Sequence, residues 1–185
     1  MQTKLFFIAS MLAVFTSTTG FSHDSQPQNG NTAVVINQIM DDFHDAADKG
    51  DKVRYLGHFA KNGVFMGTDD WERWPYLEFS AYVNKHFKDG KGWSYTPVKR
   101  FVNFDKQHSI AWIDEIVMSD QWGRFRGTAV LEKIDLGWKI KHYSLTKLVP
   151  NESWEAVSEI TQKAFTQRRV QVGEEPSTNV SSESK

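Results

Sequence analysis

From Trp93 to Val149 the chain changes period, and that change constrains the fold more than any other feature. Four long runs, Arg100 to Phe104, Ser109 to Met118, Arg124 to Ile134 and Trp138 to Val149, are rich in aromatic and β-branched residues. Short turn-like stretches separate them: Asp105-Lys106-Gln107-His108, Ser119-Asp120 and Asp135-Leu136-Gly137. Apolar runs broken this briefly read as strands joined by hairpins, so the spacing predicts an antiparallel meander.

Upstream of the meander the period is helical. Thr32 can cap a helix whose apolar positions are Val35, Ile36, Ile39, Met40, Phe43 and Ala47, with Gly50 as its stop. Asp51 caps a second helix, Lys52 to Phe59. Lys61-Asn62-Gly63 reads as a turn and Val64 to Gly67 as a short strand. Pro75 to Phe87 reads as a third helix, burying Leu77, Phe79, Tyr82, Val83 and Phe87 in part, before Asp89-Gly90-Lys91-Gly92 breaks it. Helices followed by a meander give an α+β fold: three N-terminal helices packed on a curved antiparallel sheet. A last helix, Ser153 to Arg168, carries an apolar stripe at Trp154, Val157, Ile160, Ala164 and Phe165 and is expected to dock through it.

The ends of the 185-residue chain have a different character. Residues 1–22 read as a secretory signal peptide: Lys4 is the positive region, Leu5 to Phe15 the apolar stretch, and Ser17 to Ser22 the small-residue cleavage zone. That stretch is too short for a spanning helix of ~20 residues. Residues 23–31 then form a flexible linker, 32–152 the folded domain, 153–170 the C-terminal helix and 171–185 a tail too polar to bury. The expectation is a periplasmic or secreted protein with no membrane association after cleavage. There is no cysteine, which excludes disulfides, thiolate metal sites and a cysteine nucleophile. Without Lys4 the chain holds 21 basic against 23 acidic residues, so no basic face suggests nucleic acid. No metal is expected, because His44, His58, His86 and His108 lack ligand spacing. No cofactor is indicated either, for want of a Gly-rich phosphate loop; no serine sits in a nucleophile elbow.

Several motifs together resemble one family. They are the Gly67-Thr68-Asp69 to Trp74 segment, Lys91-Gly92-Trp93-Ser94-Tyr95-Thr96-Pro97, Ala111-Trp112-Ile113-Asp114-Glu115, Arg126-Gly127-Thr128-Ala129-Val130-Leu131, Gly137-Trp138-Lys139-Ile140, and Leu145-Thr146 followed by Pro150-Asn151-Glu152. Over roughly residues 33 to 152 the chain resembles the SnoaL-like branch of the nuclear-transport-factor-like superfamily. The resemblance implies a cone-shaped α+β barrel, a deep pocket between sheet and helices, and a homodimer formed through the outer sheet face. It implies no single reaction, so function rests on the site.

The segment Gly67 to Trp74 packs three acids, one arginine and two tryptophans between a strand and Pro75. Charged groups beside large aromatics suit a pocket mouth, with Asp69, Trp71, Arg73 and Trp74 as ligand contacts. Alternatively Asp69 and Arg73 pair with each other on a solvated loop. Strand alternation sets Asp114 beside Trp112 on one face and Glu115 on the other. Asp114 is taken as the pocket carboxylate, raised by burial for proton transfer, unless it only pairs with Arg126 on the next strand. Trp138, Ile140, His142, Ser144 and Thr146 are taken as the inward face of the last strand, making His142 the second catalytic candidate; Lys139, Lys141 and Tyr143 then face out. Tyr82, Trp93 and Tyr95 complete the expected lining, along with Trp112 and Arg126.

Three functions fit these residues: a module binding a small apolar or aromatic molecule, a cofactor-free acid–base enzyme of isomerase, dehydratase or cyclase type, or a dimeric interaction protein with an occluded cone. In the enzyme reading Asp114 or His142 is the base, and Tyr82 or Tyr95 donates to a developing oxyanion.

Overall fold

The computed structural model describes residues 28–172. The expected signal peptide, most of the linker and nearly all of the polar tail lie outside the described residues. Helix α1 (Gln28–Asp48) starts four residues before the expected Thr32 cap. It buries Ile36, Met40, Phe43 and Ala47, a helical stripe against the sheet. The chain turns at Gly50, whose φ of +60° is left-handed and whose Cα lies against the backbone of Lys91. Asp51 caps α2 (Lys52–Gly57) by accepting the Arg54 N–H at 3.1 Å.

Phe59 to Met66 is one strand, β1, where a helix end, a turn and a short strand were expected. Its register slips between Phe59 and Val64, which absorbs the polar Lys61-Asn62-Gly63 as an irregularity within the strand. A three-residue β2 (Arg73–Pro75) hairpins back onto it and leads into α3 (Tyr76–His86). The meander follows as β3 (Thr96–Phe104), β4 (Ile110–Ser119), β5 (Gly123–Ile134) and β6 (Gly137–Lys147).

One six-stranded sheet results, in the order β2-β1-β6-β5-β4-β3. All neighbours are antiparallel except β1 and β6, which run parallel, so the sheet is mixed. Alternation buries Ala111, Ile113, Glu115 and Val117 of β4 and leaves Trp112 and Asp114 on the outside. In β6 the alternation breaks. Val130 pairs with His142 but Leu131 with Ile140, so Lys141 is an extra residue and the inward set switches from Trp138 and Ile140 to Tyr143 and Leu145. Helices α1, α2 and α3 cover the inner face, and aromatic rings fill most of the space between. Phe65 stacks on Phe79 with centroids 4.2 Å apart, and Phe43 on Tyr55 at 4.7 Å.

After a single 3-10 turn (Asn151–Ser153), α4 (Trp154–Val172) does not dock as expected. Trp154, Ile160 and Phe165 stay 58, 67 and 42% exposed. The helix is instead tied by its polar side: Arg168 reaches Asp69 at 2.8 Å and Asp70 at 3.1 Å. Among the described residues no helix is long and apolar enough to cross a membrane.

Candidate functional site

Two neighbouring features of the cone carry chemistry. The first is a buried cluster under α1. Residues Asn37, Asp41 and His44 recur at helical spacing and project toward β3 and β4. There Arg100 and Glu115 are directly opposite each other in register. The Glu115 side chain is fully buried, and Oε1 accepts from Tyr143 Oη at 3.0 Å and pairs with His44 Nε2 at 2.7 Å. Oε2 accepts Arg100 Nε at 2.8 Å, and Arg100 Nη1 continues to Asp41 at 2.8 Å and to Asn37 at 3.2 Å. Gly127 makes this meeting possible: a side chain there would run into the Tyr143 hydroxyl and Glu115 Oε1.

Burial alone would push the Glu115 carboxyl up, but the hydrogen bond and charge of His44, with the charge of Arg100, outweigh it and hold it below its usual value. Tyr143 is pushed far up, first by burial and then by the Glu115 charge beside it. Both Glu115 oxygens are satisfied while Arg100 Nη2 is buried without a partner, and such a network specifies the fold as much as it carries chemistry. The void that His44 and Tyr143 share with Phe43, Tyr55 and Leu145 measures only ≈ 10 Å³, room for about one water.

The second feature is an open cleft of ≈ 170 Å³ lined by Phe65, Gly67, Thr68, Glu72, Trp74, Tyr82, Trp93, Tyr95 and Leu145. Trp74 stacks on Tyr82 at 4.5 Å, and Phe65 stacks on Trp74 at 6.1 Å, making a continuous aromatic wall. Phe65, Trp93, Tyr95 and Leu145 border both the cleft and the inner void, so they form the partition between them. The loop feeding the cleft is closed by Gly67 N–H donating to the Glu72 carbonyl at 2.8 Å, and the Glu72 side chain folds over Gly67, where a Cβ would strike its carboxylate. Glu72 Oε2 accepts the Asp69 N–H at 3.1 Å.

Of the residues expected at the site, Trp74, Tyr82, Trp93 and Tyr95 come together on the cleft wall. Trp71 is 60% exposed and meets Trp74 edge-on at 5.7 Å. Asp69 pairs with Arg168 rather than with Arg73, and that hydrogen bond, above all, holds its carboxyl far below the ordinary range. Arg73 is exposed and lines no part of the cleft.

The expected catalytic pair must be corrected. Asp114 is exposed on the outer face with Trp112 and Arg126, and it forms no ion pair with Arg126 among the described residues. Its cross-strand neighbour is Thr128, while Arg126 sits opposite Ile116. His142 also faces outward, because the extra residue Lys141 reverses parity at that point. Tyr143, expected to face out, is 2% exposed and holds Glu115. The residues missed are Glu115, His44, Arg100 and Tyr143 in the cluster, and Phe65, Thr68, Glu72 and Leu145 at the cleft. Signals existed for some of them. In β4 both faces are apolar around one acid, so the pattern does not choose between Asp114 and Glu115, whereas adjacent polar Lys141 and His142 mark a break in alternation in β6.

Residues 36–150 match the model of the SnoaL-like domain. The chain belongs to the SnoaL-like domain family. Solved structures agree on the fold of this SnoaL-like protein. A domain of unknown function with a cystatin-like fold from Nostoc punctiforme is 18% identical, with a TM-score of 0.60, covering 75% of this chain and 91% of that one. An NTF2-like protein of unknown function from Pseudomonas putida is 11% identical, with a TM-score of 0.56 over 67% of this chain and 92% of that one. A candidate scytalone dehydratase from Novosphingobium aromaticivorans is 14% identical, with a TM-score of 0.54 over 65% of this chain and 87% of that one. No curated protein sequence matches the chain. Among the described residues no group of His, Asp and Glu is arranged to hold a metal ion.

Proposed function

We propose that this SnoaL-like protein binds a small, mainly apolar or aromatic molecule in the cleft between β1, β2, α3 and the Trp93–Tyr95 segment. One observation carries the reading: five aromatic side chains line an open cleft of ≈ 170 Å³ with a single charged group at its edge. Apolar walls with few polar groups are the usual make-up of small-molecule sites. The walls are themselves reporters, so titration with small aromatic compounds is expected to shift tryptophan emission, and Trp74→Ala is expected to remove most of the response. Unchanged emission across such a panel, with no heat of binding, would defeat the proposal.

The acid–base reading moves from the expected pair to Glu115, His44 and Tyr143, and the partition shared by cleft and void is what favours it. It ranks second because the void that His44 and Tyr143 share holds about one water, and the wider groove that His44 also lines, with Asp41, Asp45 and Asp48, is bordered by neither Glu115 nor Tyr143. Under the binding reading Glu115→Gln leaves cleft affinity unchanged; under the enzymatic reading it abolishes turnover of a bound compound.

Export and dimerisation belong to the same proposal. The leader-like composition of residues 1–22 supports a periplasmic or secreted location, which the intact mass of the protein recovered from the host's periplasm tests. The outer sheet face, where Phe101 and Trp112 are 51 and 45% exposed, supports a homodimer. Sedimentation of Trp112→Glu as a monomer against a dimeric parent would bear this out.

A further inference from the structure

The cleft carries one feature that a site for a neutral molecule does not need. Glu72 is its only charged lining residue, and it makes no ion pair among the described residues. Its side chain is half-buried and accepts one backbone N–H, from Asp69 at 3.1 Å. The two nearby arginines do not serve it. Arg73 is exposed on the β2 edge, and Arg168 is held by Asp69 and Asp70.

Covering an unpaired carboxylate with a neutral molecule strips its water and returns nothing. The aromatic walls add a preference of the same sign. Ring faces carry negative potential, and cations held over Trp and Tyr are stabilised most when water is excluded. The field of Glu72 reaches both sides of the cleft: the hydroxyls of Tyr82 and Tyr95 are raised, first by burial and then by the Glu72 charge. The volume, ≈ 170 Å³, lies below the roughly 300–1,000 Å³ of drug-sized sites, which limits the ligand or its bound head group to a few heavy atoms.

We infer that the cleft takes a small organic cation of the substituted-ammonium class, its charged head against Trp74, Tyr82, Trp93 and Tyr95 and its charge met by Glu72. This inference rests on the cleft being a binding site and specifies what it selects. An anionic ligand is excluded by the same carboxylate, and a bare metal ion is poorly served by one carboxylate among rings.

A shape-matched pair tests it: choline, and 3,3-dimethylbutan-1-ol, in which carbon replaces the ammonium nitrogen. Each is titrated into the full chain at neutral pH to millimolar concentration, read by tryptophan emission and calorimetry. The expected result is that choline binds about tenfold or more tighter than the alcohol. Glu72→Gln, with its circular dichroism spectrum unchanged, is expected to remove most of that preference, choline losing affinity and the alcohol gaining some. Equal or tighter binding of the alcohol by the parent protein would overturn the cation inference and leave the cleft reading standing. A preference that survives Glu72→Gln intact would also overturn the role given to Glu72. If neither probe shifts emission or gives heat, the cleft reading falls and this inference with it.

Discussion

Glu115 and Glu72 both lie among aromatic rings in one small domain, yet their surroundings are opposite. Glu115 is fully buried, and its two oxygens are taken by His44, Tyr143 and Arg100. Glu72 is half-buried at an open cleft and has one backbone donor and no counter-charge among the described residues. A buried carboxylate can stay ionised only if partners replace the water it lost, so every bond at Glu115 is a condition of folding. A carboxylate still in contact with solvent needs no such partners and remains free to meet a ligand. The lesson is that the more perturbed group is not the better candidate for function here: Glu115 is saturated by its own partners, and Glu72 is left incomplete.

The largest effect that could break this contrast is the removal of Glu115. Glu115→Ala leaves Arg100 Nε, His44 and the Tyr143 hydroxyl buried without their shared acceptor and is expected to cost about 3–5 kcal/mol in chemical denaturation. A loss under 1 kcal/mol would mean that the cluster does not hold the fold. Gly127→Ala attacks the same meeting point from the neighbouring strand, since the added methyl group displaces the Tyr143 hydroxyl. About 1–3 kcal/mol is expected, as for overpacking, and a neutral result would show that the β5 backbone yields there.

Acid is the next lever, and among the depressed groups the two least exposed, His58 and Glu115, set its sign. Burial lowers His58 below 6.5, only partly offset by its bond to Asp42, and Glu115 is held below 4.5. For both, the unfolded chain takes up protons first, so stability is complete above the unfolded value and is lost as pH falls through the folded one. Urea midpoints are expected to stay level above about pH 6.5, decline gently below it and decline further below about pH 4.5. Glu115→Gln should flatten the lower limb. A midpoint that rises on acidification would refute the assignment.

The smallest expected effects sharpen the comparison most. Asp114→Ala, one residue from Glu115 but on the outer face, and Glu72→Gln at the cleft should each change stability by no more than about 0.5 kcal/mol. Only the second should alter ligand response. If Asp114→Ala rivalled Glu115→Ala, the inward and outward faces of β4 would have to be exchanged.

Local sequence determined most of the element order. Short-range periodicity placed α1, α3 and the four meander strands within a few residues, because burial on one face imposes 3.6- or 2-residue repeats that the order of residues reveals. It also brought out the Trp74, Tyr82, Trp93 and Tyr95 set, whose aromatic bulk in and around turns is visible without coordinates. Parity was the point of failure. A strand pattern has two faces, and a one-residue error exchanges them all, so choosing Asp114 over Glu115 reversed β4. In β6 a single extra residue, Lys141, undid the inference for His142 and Tyr143. The parallel pairing of β1 with β6, the meeting of α1 with Glu115 across 71 residues of chain, and the failure of the α4 stripe to find a surface were decided by tertiary structure. These depend on which distant segments compete for the same apolar surface, and no local repeat records the outcome of that competition.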